Sequence, residues 1–128
     1  MSIAGVGIDA VNIERFKKAV EKHGDNFLTK IFTEKELEHA KDKKAYAMHM
    51  SGKFAAKEAV KKALPDGAKI GLNWAEIEIL NGTDGKPYAC LHGMAKQLME
   101  ENDISNVLVS ISHTKELAVS NAIGVKNV

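Results

Sequence analysis

The sequence predicts an α+β fold in which an antiparallel sheet packs against one long helix. Three observations carry the prediction. Helical periodicity dominates from about residue 13 to residue 64. Period-two alternation interrupted by glycine-bearing turns dominates from residue 74 to residue 125. The longest helical stretch collects small residues (Ala55, Ala56, Ala59, Val60 and Ala63) on one side, where a neighbouring element can approach closely. Helices grouped early and hairpins grouped late give an antiparallel arrangement, not a doubly wound one. At 128 residues the chain is expected to form one domain, residues 1–128, around one core.

The elements follow in order. Residues 3–11 alternate, with Ile3 out of phase: Ala4, Val6 and Ile8 point one way, Gly5, Gly7 and Asp9 the other. The bare glycine face leaves room for a ligand or for another backbone. Gly5-Val6-Gly7 lacks the third glycine of a dinucleotide fingerprint, and an acid follows where a pyrophosphate would sit, so that reading is rejected. Asn12 caps a helix from Ile13 to about Lys22, closed by Gly24, and Asp25 opens a short helix through Ile31. Thr33 and Glu36 form a capping box for a helix from Glu34 to about Lys43. The long helix opens near Ala45, has a close approach at Ser51-Gly52, and stops before the Pro65-Asp66-Gly67 turn. Residues 74–80 alternate as a half-buried strand, and a turn over residues 81–87 leads to a partner strand over 88–91. Gly93 to about Asn102 is a helix with Met94, Leu98 and Met99 inward. Strands over 107–112 and 117–125 close the chain.

Composition narrows the function. A hydrophobic content of 45% with 27% charged residues is ordinary for a folded soluble chain. There is no run near the ~20 apolar residues of a membrane span, and no signal-peptide layout at the N-terminus. A net charge of +1 argues against a dedicated nucleic-acid binder. The lone Cys90 excludes an intrachain disulfide and a cysteine metal cluster, and reads as a reduced thiol in the cytoplasm.

Several stretches carry possible chemistry. On the long helix, Lys53, Lys57, Glu58, Lys61 and Lys62 fall opposite the small residues. One reading is a solvated face with Glu58 paired to Lys62; the other is a polyphosphate site with Glu58 on a divalent metal. Asp9 is either a helix cap or a second carboxylate for that metal. Arg15, Lys18 and Lys22 share a helix flank that suits an acidic partner or solvent. His113-Thr114 stands at a strand end, where functional side chains are often presented. The remaining histidines lack metal-ligand spacing, which argues against zinc. Asp9, Glu58 and phosphate oxygens together would make the oxygen-only shell that magnesium prefers.

These residues resemble a known family, the short class of 4′-phosphopantetheinyl transferases, or holo-acyl-carrier-protein synthases. The matching blocks are residues 5–9 with Arg15 and Phe16, residues 32–36, residues 53–59 with Lys62-Ala63, residues 85–87, and residues 110–115. They keep their order over nearly the whole chain, and the Asp9 block together with Lys57-Glu58-Ala59-x-x-Lys62 is the specific part. The resemblance implies transfer of the phosphopantetheine arm of coenzyme A to a serine of apo-acyl carrier protein, with adenosine 3′,5′-bisphosphate as the other product. It implies magnesium on Asp9 and Glu58, and phosphate contact by Lys62. Lys53, His113 and Thr114 would lie near the 3′-phosphate, Ser112 would bind substrate, and Arg15 would meet the carrier. Gly85, Lys86 and Pro87 would reach coenzyme A from an adjacent subunit of a homotrimer. Lys53 stands where the family usually has an arginine, so a forked contact becomes a point charge. Residues 64–70 replace the family's usual Phe-Gly-Thr-Gly-Ile. Two rivals share the pattern: a binding module without catalysis, and a metal-dependent phosphohydrolase using water in place of the serine.

Overall fold

The computed structural model describes residues 2–41 and 45–127. In chain order the elements are β1 (Ser2–Asn12), α1 (Ile13–Ile31), α2 (Glu34–Ala40), α3 (Tyr46–Ala63) and α4 (Gly67–Ile70). Then come β2 (Ile77–Asn81), β3 (Pro87–Leu91), α5 (Gly93–Glu101), β4 (Ile104–His113) and β5 (Leu117–Lys126). α3 lies across an antiparallel sheet of order β1-β5-β4, and β2 and β3 form a separate hairpin. The α+β architecture with a sheet on a long helix is therefore present. The first strand pairs with the last, a closure over more than a hundred residues that no local pattern announces. Among the described residues, no helix is long and apolar enough to cross a membrane.

The bare face of β1 is used for backbone contact. A Cβ on Gly5 would stand 2.1 Å from the carbonyl oxygen of Ala63, and one on Gly7 would stand 1.9 Å from that of Ala59. Only glycine lets strand and helix approach this closely. Val6 and Ile8 consequently point away from α3 and are 61% and 64% exposed. The odd phase of Ile3 coincides with a register shift between Ile3 and Gly5 against β5.

Local signals hold at the helix starts. Asn12 Oδ1 accepts from Arg15 N at 2.9 Å, and Gly24 breaks α1 with φ 59° and ψ −143°. Both arms of the capping box are made: Thr33 N donates to Glu36 Oε1 at 2.8 Å, and Glu36 N donates to Thr33 Oγ1 at 3.3 Å. α2 ends at Ala40, and its expected limit, Lys43, lies outside the described residues.

Four expectations are corrected. The charged side of α3 is not a solvated face, because Lys53 and Lys57 are buried. Lys57 Nζ donates to Glu36 Oε1 at 2.7 Å, to Ile77 O at 2.7 Å and to Trp74 O at 3.0 Å. α3 is thus packed on two sides, against the sheet and against the α1–α2 layer, and its helical period marks only one of them. Lys61 is likewise not simply solvated, since its ammonium lies 5.0 Å from the Trp74 ring centroid. Residues 74–76 form a 3-10 turn, so the strand expected from Trp74 begins only at Ile77. On α5, Ala95 and Leu98 are buried whereas Met94 is 43% exposed.

Two apolar groups make the core. One joins the alanine side of α3 to Ile77, Ile79, Ala95, Leu98 and Val107. The other gathers Phe16, Ile31, Phe32 and Met50, with Phe54 and Trp74 against it.

Candidate active site

The close passage of β1 over α3 determines where Asp9 falls. Two residues beyond Gly7, its carboxylate meets the last turns of the helix, and Lys62 Nζ lies 3.2 Å from Asp9 Oδ1 and donates to Ile8 O at 2.9 Å. Lys62 is one helical turn after Glu58, so both acids border the same end of α3. Lys62 does not pair with Glu58 as the solvated-face reading expects. Glu58 Oε1 accepts instead from Trp74 Nε1 at 2.6 Å. The described contacts use one oxygen of each carboxylate. Two hard oxygen donors beside a cation, with no sulfur or imidazole among them, suit magnesium and polyphosphate chemistry better than zinc.

A second group assembles at the other half of α3. Lys53, Gly85, Pro87 and His113, which come from three separate stretches of the chain, line one cavity of about 480 Å³. Gly52 forms part of its floor: a Cβ there would stand 2.9 Å from Ile111 Cγ2, so β4 sits directly on the helix. The β2–β3 turn is shaped by its own polar contacts. Gly82 N donates to Lys86 O at 2.9 Å, Asn81 Nδ2 donates to Gly85 O at 3.1 Å, and Gly85 takes φ 83°. The cavity group and the Asp9–Glu58–Lys62 group are not brought together within the chain: none of the latter three residues lines the cavity.

The other expected residues occupy several places. Lys86 is exposed on the turn beside the cavity without lining it. Ser112 alternates with Ile111 and His113, and so faces the opposite side of the sheet. Thr114 Oγ1 accepts from Glu116 N at 3.2 Å and Leu117 N at 3.1 Å, which fixes the β4–β5 turn. Arg15, Lys18 and Lys22 are exposed along α1, as their spacing requires.

Sequence reasoning missed Asn81 and His49, both of which line the cavity. Asn81 is the more informative: its Oδ1 is buried without a hydrogen-bond partner, an acceptor at the wall of the cavity. Its position at the first residue of a glycine-bearing turn reads as turn chemistry, which hides this second use. Trp74 was missed as well, because only the folded chain brings its indole to Glu58.

Comparison with known proteins gives this geometry its context. A family model described as the 4′-phosphopantetheinyl transferase superfamily matches residues 5–120. A holo-[acyl-carrier-protein] synthase of Caldanaerobacter subterraneus subsp. tengcongensis is 45% identical over 120 residues, covering 94% of this chain and 93% of that protein. The Plasmodium yoelii acyl carrier protein synthase solved with ADP bound is 34% identical with a TM-score of 0.87, covering 99% of this chain and 98% of that one. The Helicobacter pylori holo-[acyl-carrier-protein] synthase solved in complex with coenzyme A is 31% identical with a TM-score of 0.81, covering 94% and 99%. Agreement of this extent, over both the strand that carries Asp9 and the helix that carries Glu58 and Lys62, means that the chain belongs to the 4′-phosphopantetheinyl transferase superfamily.

Proposed function

We propose that the chain, acting as one domain, transfers the 4′-phosphopantetheine arm of coenzyme A to a serine hydroxyl of an apo-acyl carrier protein. The serine hydroxyl gives up its proton to solvent and its oxygen bonds to the β-phosphorus, the pyrophosphate bond breaks, and adenosine 3′,5′-bisphosphate leaves. The observation that carries this reading is the convergence of Lys53, Gly85, Pro87 and His113 on one cavity. It occurs in a fold shared over 94% of the chain with a synthase solved in complex with coenzyme A.

Phosphoryl transfer depends chiefly on positioning and on neutralising charge, and the residues divide along those lines. Asp9 and Glu58 would hold magnesium, which when bound polarises a phosphoryl oxygen and offsets its charge. Lys62 takes the leaving phosphate, exchanging its contact with Asp9 for one with a phosphate oxygen. Lys53 and His113, both of which line the cavity, receive the 3′-phosphate. Gly85 and Pro87 shape the wall for the nucleotide, and Asn81 Oδ1 offers an acceptor there. Lys86, on the turn beside the cavity, adds a secondary charge, whereas Ser112 faces the other side of the sheet and Thr114 fixes the turn after His113. The basic flank of Arg15, Lys18 and Lys22 receives the acidic carrier.

A homotrimer belongs to the same proposal. Val6, Ile8 and Leu108 are exposed on the side of the sheet turned away from α3, which suits burial against another copy. In the proposed trimer, the carboxylates of one subunit would work with the cavity of another. The reaction is placed in the cytoplasm, in keeping with the free thiol at Cys90.

The test incubates the protein with coenzyme A, magnesium and an apo-acyl carrier protein, and weighs the carrier. The expected result is a metal-dependent mass gain of one phosphopantetheine arm. Release of phosphopantetheine without a carrier, or no gain from folded protein, would overturn the proposal. Lys53→Ala should raise KM for coenzyme A with little change in KM for the carrier.

A further inference from the structure

Three ligand-bearing side chains meet on the β2–β3 hairpin, away from the carboxylates of Asp9 and Glu58. Glu78 and Cys90 are partners across the ladder. His92 follows Cys90 by two residues, and its amide donates to Glu76 O at 2.7 Å, which continues the strand line beyond Leu91. The two-residue period therefore puts all three side chains on one face. Glu78 Oε1 lies 3.1 Å from His92 Nε2. A carboxylate oxygen, the thiol sulfur and an imidazole nitrogen all lie within 4.8 Å of one another.

A hydrogen bond between Glu78 and His92 explains two members of this group and leaves the thiol as a bystander. The donor set argues for more. One sulfur, one nitrogen and one oxygen is a combination that zinc accepts and magnesium does not. Ligand atoms around a tetrahedral zinc stand roughly 3.3–3.8 Å apart, given bonds of about 2.0–2.3 Å, so side-chain rotation alone closes the site. Glu78 is already oriented from behind, because Thr33 Oγ1 donates to its Oε2, the kind of outer contact that supports a metal ligand. The His92 side chain is 51% exposed, which leaves an entry path and a fourth position for water. Lys35, Lys57 and the charge of His92 act on Glu78.

We propose that Glu78, Cys90 and His92 form a binding site for a thiophilic divalent cation, zinc foremost, separate from the oxygen-only pair of Asp9 and Glu58. Binding deprotonates Cys90, whose proton passes to solvent. The ion would clamp the base of the hairpin whose tip, through Gly85 and Pro87, lines the coenzyme cavity.

Cobalt(II) is the probe. Cys90 is the single cysteine, so a thiolate-to-cobalt charge-transfer band can come from no other residue. Titration of the full chain should give that band with tetrahedral visible bands at one equivalent. Zinc should displace both, and excess magnesium neither. Cys90→Ser should abolish the charge-transfer band, and His92→Ala should weaken affinity by at least about tenfold. Absence of the band in folded wild-type protein overturns the site, as does undiminished affinity in His92→Ala. No turnover is measured, so failure here leaves the transferase reading untouched.

Discussion

Trp74 serves three neighbours at once. Its carbonyl accepts from Lys57, its indole N–H donates to Glu58, and its ring faces the ammonium of Lys61. The indole contact fixes the direction of the Glu58 carboxylate before any ligand arrives, and such support typically changes activity or metal affinity by about 10–100-fold. Trp74→Phe keeps a ring against Phe54, whose centroid lies 5.6 Å away, but removes the donor. It should therefore raise the magnesium concentration needed for half-maximal transfer by about tenfold; an unchanged requirement would remove Trp74 from any positioning role. Asp9→Asn and Glu58→Gln should each lower kcat at least about a hundredfold with an unaltered circular dichroism spectrum. Near-normal turnover in either variant would take that residue out of the site. Asp9 and Glu58 stand out in the sequence as candidates because their blocks are short, local and chemically distinctive. Trp74 does not, since the indole reaches Glu58 only after the 3-10 turn of residues 74–76 reverses what a continuous alternation suggests.

Among the elements, α3 shows how far periodicity can be read. The alanine side facing the sheet was legible, as were Asn12, Gly24 and the Thr33–Glu36 box, because each is a contact within a few residues. The second packed side was not. It depends on Lys57 finding Glu36, 21 residues away, inside the core. Burial lowers the Lys57 pKa while Glu36 pulls it back up, and Ile79 N satisfies the other oxygen of Glu36 at 2.9 Å. Removing one partner of such a pair leaves the other charge stranded, so Lys57→Met should cost about 3–5 kcal/mol in chemical denaturation. A cost below about 1 kcal/mol, the range of an exposed pair, would contradict the burial argument. Glu78 gives a pH dependence of opposite origin. Burial opposes its charge, but hydrogen bonds from Thr33 and His92, with the charges of His92 and Lys35, outweigh it and hold its pKa below the ordinary carboxylate value. The unfolded chain then binds the proton more tightly than the folded one, so this stability is present above the unfolded pKa and lost as pH falls through the folded pKa. The stability difference between wild type and Glu78→Gln should shrink steadily as pH drops below the ordinary carboxylate range. A difference independent of pH across that range would exclude the linkage.

For the molecule as a whole, the two glycines of β1 link packing to the proposed assembly. With Gly5 and Gly7 pressed on α3, the larger residues between and beside them have only the outer side of the sheet to occupy. Leu108 joins them there, since Leu108 and Val6 both oppose Ile123 of β5 from either flank. A monomer gains nothing by exposing this row, whereas a complex that covers it removes apolar area from water at about 25 cal/mol per Å². These residues make no part of the core around α3, so replacing them separates assembly from folding. If the proposed trimer forms, Val6→Asp combined with Ile8→Lys should leave the helical spectrum and unfolding cooperativity of the subunit intact while shifting native mass from trimer to monomer. On the proposed trimeric arrangement, transfer should fall by at least about a hundredfold, because Asp9, Glu58 and Lys62 would lose the neighbouring cavity proposed for the coenzyme. A folded monomer with full activity would show that one chain suffices, and that the carboxylates and the cavity act without a second copy.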